Sequence, residues 1–286
     1  MPAFTLKDTL AGAVLAALIG AASTAPALAQ QQPSAPPPDF SSNHVGWSGF
    51  NPTGPFFEPA PGHDPGPVTT DPAHPFVPNG TDKQPTFRIA DLSNPNLKPW
   101  VKEHMKKDID EVLAGKVAFT AQSSCQPGGV PMFMGYGGGN PIIFLQTPKE
   151  VWLFFSGDMQ VRRVYMNVPH SPNPKPSWYG ESVGPYEGET LVIDTIGLND
   201  KTTADIYRTP HTEKMHVVER WRMVDGGGGM EVVFTVEDSD AFYQPWTAMR
   251  RYRRLQYQDI PEVVCAENNN QSMFGYPIPI ADKPDF

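Results

Sequence analysis

The chain has 286 residues and a formal net charge of -9 at pH 7, with 22 Lys and Arg against 31 Asp and Glu. This length allows one large domain or two small ones, and the 33 prolines and 25 glycines argue against long helices. An excess of acidic residues repels phosphate backbones, so no nucleic-acid partner is expected. Two cysteines are too few for a Cys-based zinc module.

The N-terminus has the pattern of a secretory signal peptide. Lys7 supplies a positive charge, residues 10–22 (LAGAVLAALIGAA) are apolar, and Ala27-Leu28-Ala29 matches a cleavage site. The apolar run is shorter than the about 20 residues of a membrane span, which disfavours the alternative of an uncleaved anchor. Residues 1–29 therefore predict a periplasmic or secreted protein with no membrane span after cleavage.

Export changes the interpretation of the two cysteines, Cys125 and Cys265. An oxidising compartment lets them form a disulfide, which would close a loop of about 140 residues and add about 4–5 kcal/mol in the chain-entropy model. The alternative is a nucleophilic cysteine with a histidine base, which needs a free thiolate. The disulfide is the favoured prediction.

A change in composition divides the remaining chain. Residues 30–90 hold 14 of the 33 prolines, a density that prevents regular elements. Aromatic residues recur there and are worth burying, so this segment is predicted to be an extended arm lying on a globular body. That body is predicted to be a β-barrel domain over residues 91–286.

One helix is predicted near the start of this domain, over about residues 97–114. Ser93 or Asn96 can cap it, and Gly115 can end it. Apolar residues recur at a spacing of three to four on one face. This face comprises Val101, Met105, Ile109, Val112 and Leu113.

From about residue 141 the pattern changes to short strands separated by turn residues. The predicted strands are Ile142–Thr147, Val151–Ser156, Gln160–Met166, Thr190–Ile196, Glu213–Val224, Met230–Glu237 and Met249–Tyr257. Their spacing is typical of an antiparallel sandwich or barrel, and a meander that closes on itself has no exposed edges. The favoured fold is an eight-stranded, up-and-down, lipocalin-like barrel, with a β-sandwich as the alternative.

Several motifs in about residues 95–270 resemble those of a known group of proteins. The motifs are Pro176–Gly184 (PSWYGESVG), Tyr186–Thr202 (YEGETLVIDTIGLNDKT), Pro210–Arg220 (PHTEKMHVVER) and Gln244–Thr247 (QPWT). They resemble a large group of exported, β-rich bacterial proteins catalogued mainly as hypothetical. The resemblance implies a shared fold and no particular reaction. This chain has Asn167-Val168-Pro169-His170 where the group has Gly-Arg-Pro-His, so it lacks the basic residue of that loop.

Strand alternation predicts the direction of Glu219, because neighbouring residues of a strand point to opposite faces. Glu219 shares a face with the apolar Val217 and Trp221, which places its carboxylate inside the barrel. Such a carboxylate either pairs with a cation or acquires a raised pKa that suits acid–base catalysis. Both interpretations stay open.

Adjacent arginines provide candidate partners for Glu219 or for a substrate. Arg162 and Arg163 are neighbours in one predicted strand, and Arg250 and Arg251 in another. At least one arginine of each pair should face the lumen, and Arg163 and Arg251 are the predicted ligands of a substrate carboxylate. The alternative is a solvated or edge-protecting charge. The remaining predicted substrate-binding residues are Tyr165, Trp178 and His216.

Two loops repeat a Pro-His-hydroxyl pattern, which ends in His170-Ser171 and in His211-Thr212. Proline restricts the backbone before each imidazole, and histidine is the side chain suited to proton transfer near neutral pH. Asp205 lies upstream of His211 and could orient it. The pattern predicts that His211 and His170 meet at one mouth of the barrel as catalytic groups. Alternatively, each histidine caps backbone groups of its loop.

These residues favour an exported, cofactor-independent acid–base enzyme, a lyase, isomerase or hydratase, acting on a small aromatic or carboxylated molecule. His211, His170, Asp205 and Glu219 are its predicted catalytic residues. The alternatives are a non-catalytic, lipocalin-like carrier of a hydrophobic ligand and a metal-dependent hydrolase. The five-residue spacing of His211 and His216 matches no common zinc motif, so neither a metal nor a cofactor is predicted. The oligomeric state stays open.

Overall fold

The computed structural model describes residues 36–41, 45–49, 55–76, 88–116, 121, 125–135, 141–156 and 160–256. The predicted signal peptide (1–29) and Cys265 lie outside these residues, so export and the disulfide stay predictions. The helices are α1 (Pro99–Leu113) and α2 (Met132–Gly135). The strands are β1 (Val45–Ser48), β2 (Glu58–Pro59), β3 (Ile142–Gln146), β4 (Glu150–Phe155), β5 (Gln160–Met166), β6 (Glu181–Gly184), β7 (Tyr186–Glu187), β8 (Thr190–Ile196), β9 (His216–Val224), β10 (Gly229–Glu237) and β11 (Trp246–Gln256).

Nine of these strands form a closed barrel. They are hydrogen-bonded in the order β1-β3-β4-β5-β6-β8-β9-β10-β11, and β1 pairs with β11 to complete the circuit. The short strands β2 and β7 pair with β11 and β8 outside this circuit. Closure gives each barrel strand two neighbours and so removes exposed edges. The predicted lipocalin-like barrel is confirmed, with nine strands instead of eight.

Two of the nine strands were not predicted from the sequence. Strand β1 belongs to the Pro-rich segment, where Trp47 pairs with Arg254 of β11 and with Ile142 of β3. Strand β6 follows the loop of residues 167–180 and runs parallel to β5, whereas the other paired strands described are antiparallel. Side chains of this loop lie beside the outward-facing residues of β5, because both line the same groove.

Helix α1 differs from its prediction at both ends. It begins at Pro99, and neither Ser93 nor Asn96 caps it, because the Asn96 amide instead bonds the backbone before β11. Pro at the first helical position needs no hydrogen-bond partner for its nitrogen. Leu113, predicted to be buried, is 46% exposed. Gly115 follows the helix with a φ of 85°, the left-handed conformation that glycine adopts without strain.

The inner face of the barrel is filled with side chains. The buried Trp221 ring packs against those of Phe144 and Tyr252, with centroid distances of 5.4 and 5.5 Å. These rings belong to a single buried apolar cluster that draws on most of the described strands and on α1. None of the helices in the described ranges has the length and apolar character needed to cross a membrane.

Candidate functional site

A fully buried ion pair joins Arg162 of β5 to Glu219 of β9 inside the barrel. The two guanidinium nitrogens Nη1 and Nη2 donate to the two carboxylate oxygens at 2.9 and 2.6 Å, and both side chains are fully buried. Arg162 also donates to Ser182 and Thr195, and the Trp221 indole donates to Glu219 at 2.8 Å. We call these five residues the buried Arg162 network.

The buried Arg162 network leaves no position for a substrate among its own hydrogen bonds. Every guanidinium nitrogen of Arg162 has a partner, and both Glu219 oxygens accept from donors. A bidentate arginine–carboxylate pair with these extra bonds offsets the cost of burying two charges. Of the two interpretations of Glu219, the geometry therefore matches the structural ion pair.

The directions predicted for Arg163 and Arg251 are wrong. Arg163 is exposed and pairs with Glu150, while its neighbour Arg162 faces inward. Arg251 is also exposed, where its Nε donates to Glu231 at 2.9 Å. In each pair the strand pleat turns the other arginine into the barrel, since adjacent residues face opposite sides.

Arg250 is the inward arginine of the second pair, and its role is also structural. It is 5% exposed and donates to the backbone carbonyls of Gly49, Pro55 and Phe56. It therefore ties the Pro-rich segment to β11 rather than holding a substrate. Burial lowers the pKa of this guanidinium.

His211 and Asp205 do not form the predicted catalytic pair. The Asp205 carboxylate accepts from the backbone of Tyr207 and Thr209 and from the Thr209 hydroxyl, so it stabilises its own loop. His211 is buried, and its Nδ1 lies 3.0 Å from the Thr212 carbonyl oxygen. Since a carbonyl only accepts, Nδ1 carries the proton.

The other ring nitrogen of His211 is also occupied. Its Nε2 lies 2.8 Å from the Thr202 hydroxyl, which donates to it. Burial lowers the pKa of His211, which favours the neutral ring that these two hydrogen bonds require. His211 is thus a core histidine with both ring nitrogens hydrogen-bonded, close to the alternative interpretation of its loop. Its partners are Thr202 and Thr212, whereas those of His170 are Glu181 and Asp194.

His170 instead meets His216 on the outer surface of the barrel. Both Nε2 atoms lie near the same Asp194 oxygen, at 3.1 Å from His170 and 2.8 Å from His216. The Nδ1 of His170 lies 3.1 Å from Glu181, and the Nδ1 of His216 lies 3.5 Å from Glu237. We call these five residues the outer histidine cluster.

Four adjacent strands and one loop position the outer histidine cluster. Glu181, Asp194, His216 and Glu237 lie on the outer faces of β6, β8, β9 and β10, and His170 comes from the loop between β5 and β6. Alternation explains their direction, because the residues beside them in the strands point into the core. Their side chains are between 20% and 55% exposed.

A groove of about 350 Å³ opens beside this cluster. It lies between the outer face of β5 and the loop that leads into β6, and Glu181 belongs to both the groove and the cluster. The lining residues are Val161, Arg163, Tyr165, Pro174, Lys175, Tyr179, Gly180, Glu181 and Ser182. We call this the outer groove. Its volume lies within the range of small-molecule sites, about 300–1,000 Å³.

The outer groove combines cations with aromatic rings. The Arg163 guanidinium lies 4.5 Å from the centroid of Tyr165 and 5.1 Å from that of Trp152, so two rings orient it. Its Nη2 donates to Glu150, and a guanidinium carries five N–H groups, so the described contacts leave donors for a ligand. Of the predicted substrate-binding residues, Arg163 and Tyr165 line this groove, while Trp178 precedes the lining residue Tyr179 and is half-buried.

Glu181 is held as a carboxylate. Burial raises its pKa, but hydrogen bonds from the hydroxyl and backbone of Ser171 and from His170 outweigh burial, and the net shift is downward. A carboxylate that accepts several hydrogen bonds is stabilised in its charged form. Glu181 therefore offers the groove a proton acceptor near neutral pH.

Asp194 and Glu181 were missed by the sequence analysis. Asp194 was recognisable, because it is the only charged residue in the otherwise uncharged strand 190–196. Glu181 carried no such signal, since β6 spans only four residues and was not predicted as a strand. Among the described residues, no group of three or more His, Cys, Asp and Glu has the arrangement of a metal site.

The chain matches no protein-family model, no curated protein and no solved structure.

Proposed function

We propose that the protein is a cofactor-independent acid–base enzyme, of the lyase, isomerase or hydratase kind, that acts on a small aromatic carboxylate in the outer groove. The observation that carries this proposal is the position of Glu181, which lines the groove and is hydrogen-bonded to His170. A carboxylate next to an imidazole is a common pair for moving a proton to or from carbon. The site proposed here lies on the outer wall of the barrel and not, as predicted from the sequence, at its mouth.

The groove suits an aromatic anion. Arg163 offers N–H groups to a carboxylate, Lys175 adds a second positive charge, and Tyr165 and Tyr179 provide faces for an aromatic ring. Glu181 stands among these groups as the proton acceptor. In this arrangement the cations hold the substrate and stabilise negative charge that develops when a proton leaves carbon.

The carrier alternative is less well supported. A lipocalin-like carrier needs an apolar lumen, whereas the described inner face holds Arg162 and Glu219 in a fully hydrogen-bonded network. Trp221 and its neighbours fill the space around that network. The metal-dependent hydrolase has no supporting group of ligands among the described residues.

Hydrogen exchange at carbon tests the proposal without knowledge of the natural substrate. Mandelate and phenylpyruvate, both aromatic carboxylates with an acidic C–H, are incubated with the protein in D₂O and followed by NMR. We expect deuterium incorporation above the rate without protein, and loss of that excess in Glu181→Gln. Glu189→Gln, an exposed change in the turn before β8, is the matched control and keeps the excess.

Binding of the same probes gives a second measurement. Arg163→Lys keeps the positive charge and removes the planar fork, so we expect weaker binding of mandelate by calorimetry. Arg253→Lys, an exposed change far along β11, should leave binding unchanged. If neither probe binds or exchanges, and benzoate also fails to bind, the outer groove is not a site for aromatic carboxylates.

Export and the disulfide belong to the same proposal. The signal-peptide pattern of residues 1–29 and the pair Cys125 and Cys265 support a periplasmic or secreted enzyme. Expression of the full chain in a bacterial host tests both, by N-terminal sequencing of the periplasmic fraction and by mass spectrometry without reductant. A mature N-terminus at Gln30 and a mass two hydrogens below the reduced value are the expected results.

A further inference from the structure

The five residues of the outer histidine cluster are joined end to end. Glu181 contacts His170 at 3.1 Å, His170 contacts Asp194 at 3.1 Å, and Asp194 contacts His216 at 2.8 Å. His216 then lies 3.5 Å from Glu237. Carboxylates and imidazoles alternate along this row, so every contact joins a group that can release a proton to one that can accept it.

The solvent end of the row is more exposed than the groove end. The side chains of His170 and Glu181 are 20% and 21% exposed, those of His216 and Asp194 are 31% and 41% exposed, and that of Glu237 is 55% exposed. Glu181 faces the outer groove, whereas Glu237 is at the solvent-facing end on β10. The row therefore connects the groove with bulk water.

The other charged groups nearby have partners of their own. On the outer face of β9, Arg220 pairs with Glu187, and Arg222 pairs with Glu231. Neither arginine contacts Asp194 in the described part of the chain. The two imidazoles of the outer histidine cluster therefore interact mainly with its three carboxylates.

We propose that the outer histidine cluster is a proton relay that carries protons between the outer groove and water. This inference rests on the proposed function, and it makes Asp194, His216 and Glu237 positioning residues for a reaction at Glu181. Their carboxylate and imidazole groups act through His170 and do not touch the substrate.

The transfer balances along the row in the direction from water to the groove. The Nδ1–H bond of His170, which donates to Glu181, breaks as a Glu181 O–H bond forms, and Nε2 of His170 takes a proton from Asp194. Asp194 takes its proton from Nε2 of His216, and Nδ1 of His216 takes one from water by way of Glu237. Each group between water and Glu181 gains one proton and releases one.

NMR of the full chain, with ¹⁵N-labelled histidine and no ligand, tests the relay. Since His170 and His216 share one Asp194 oxygen, protonation of either ring changes the other. We expect the ring nitrogens of His170 to respond to pH in two steps in the wild type and in one step in His216→Gln. His74→Gln, which removes a histidine paired with Asp71 elsewhere, is the control and leaves both steps in place.

Two further variants separate the relay from a structural role. Asp194→Asn should remove the two-step response of His170, and Asp194→Glu, which keeps a carboxylate, should restore it. Glu237→Gln serves if the Asp194 variants do not fold, because Glu237 is exposed, and it should alter the His216 response. A one-step response of His170 in the wild type that His216→Gln does not change would overturn the relay. The NMR test uses no ligand, so its outcome does not depend on whether the protein catalyses exchange of mandelate. Failure of the relay and failure of the proposed function can therefore be told apart.

Discussion

The buried Arg162 network and the outer histidine cluster lie on opposite faces of the same strands, β6, β8 and β9. Ser182 and Thr195 face inward, whereas their sequence neighbours Glu181 and Asp194 face outward. Inside, the cation is an arginine, which does not lose its proton in proteins, and water is excluded. Outside, the partners of the carboxylates are histidines near water, and imidazole is the side chain suited to proton transfer. The same pleat thus gives one cluster that holds the barrel together and another suited to chemistry.

Among the variants of the two clusters, Arg162→Met is expected to lower the free energy of unfolding most. This change leaves the fully buried Glu219 carboxylate without its ion-pair partner, at a cost of about 3–5 kcal/mol in the free energy of unfolding. Urea unfolding followed by tryptophan fluorescence measures it. The matched outer change, Arg163→Met, should leave the unfolding midpoint almost unchanged, because Arg163 is exposed.

The double variant Arg162→Met with Glu219→Leu sharpens this test. Replacing both charges by apolar groups removes the unpaired carboxylate, so the double variant should be more stable than Arg162→Met alone. If the double variant is the less stable of the two, the hydrogen bonds to Ser182 and Thr195 contribute more than the charges do.

Asp205 provides the next largest effect, and it depends on pH. Burial raises its pKa to about 6, above the 3.8 of an ordinary Asp, although Thr209 and the backbone of Tyr207 donate to it. The folded state therefore binds this proton more tightly than the unfolded state, so the contribution of Asp205 to stability is largest below about pH 4 and is lost as the pH rises through about 6. A difference of about two pKa units corresponds to about 3 kcal/mol.

Asp205→Asn should remove this loss. We expect its free energy of unfolding to change less than that of the wild type between pH 4 and pH 7, with urea titrations at each pH as the measurement. Asp200→Asn, an exposed change in the same loop, is the control. Parallel curves for wild type and Asp205→Asn would show that Asp205 stays ionised throughout this range.

The sequence predicted the barrel because its strands alternate in hydrophobicity, and this signal is local. The direction of adjacent arginines was harder. In β11, Arg250 is an even number of residues from the aromatic Trp246 and Tyr252, so it lies on the same face as they do. Arg251 lies on the opposite face with Arg253. The aromatic neighbours of Arg250 therefore indicated that it is the arginine that faces inward. In β5 both faces of the strand carry apolar and polar residues, so the sequence does not indicate which arginine faces inward. Pairing with Glu219 is what places Arg162 inside the barrel.

The site was harder to predict than the fold because it combines residues distant in sequence. The Pro-His pattern identified both His170 and His211, yet one loop lies on the barrel wall and the other is buried. Register sets this difference: β6 pairs with β8 so that Val183 lies opposite Asp194, which brings Asp194 near the His170 loop. Pairing between strands this far apart is not encoded in local periodicity.

Two tryptophans allow the inner and outer faces to be compared through one hydrogen bond on each face. The indole of Trp221 donates to buried Glu219 at 2.8 Å, and that of Trp152 donates to Glu150 on the outer face at 3.0 Å. Trp221→Phe should cost about 1.5–3 kcal/mol, the range for a hydrogen bond to a charged group. Trp152→Phe should cost much less, because water replaces the lost donor. Equal losses in urea unfolding would contradict the contrast between the two faces.

The smallest effect on stability is expected for Asp194→Asn, the variant with the largest expected effect on the relay. Asp194 is 41% exposed and contacts two partly exposed histidines, so its loss should change the free energy of unfolding by less than about 1 kcal/mol. Urea unfolding at pH 7 measures this, with Glu189→Gln as the control. A loss comparable to that of Arg162→Met would mean that the outer histidine cluster also holds the barrel together. The assignment of structure to the inner face and chemistry to the outer face would then be wrong.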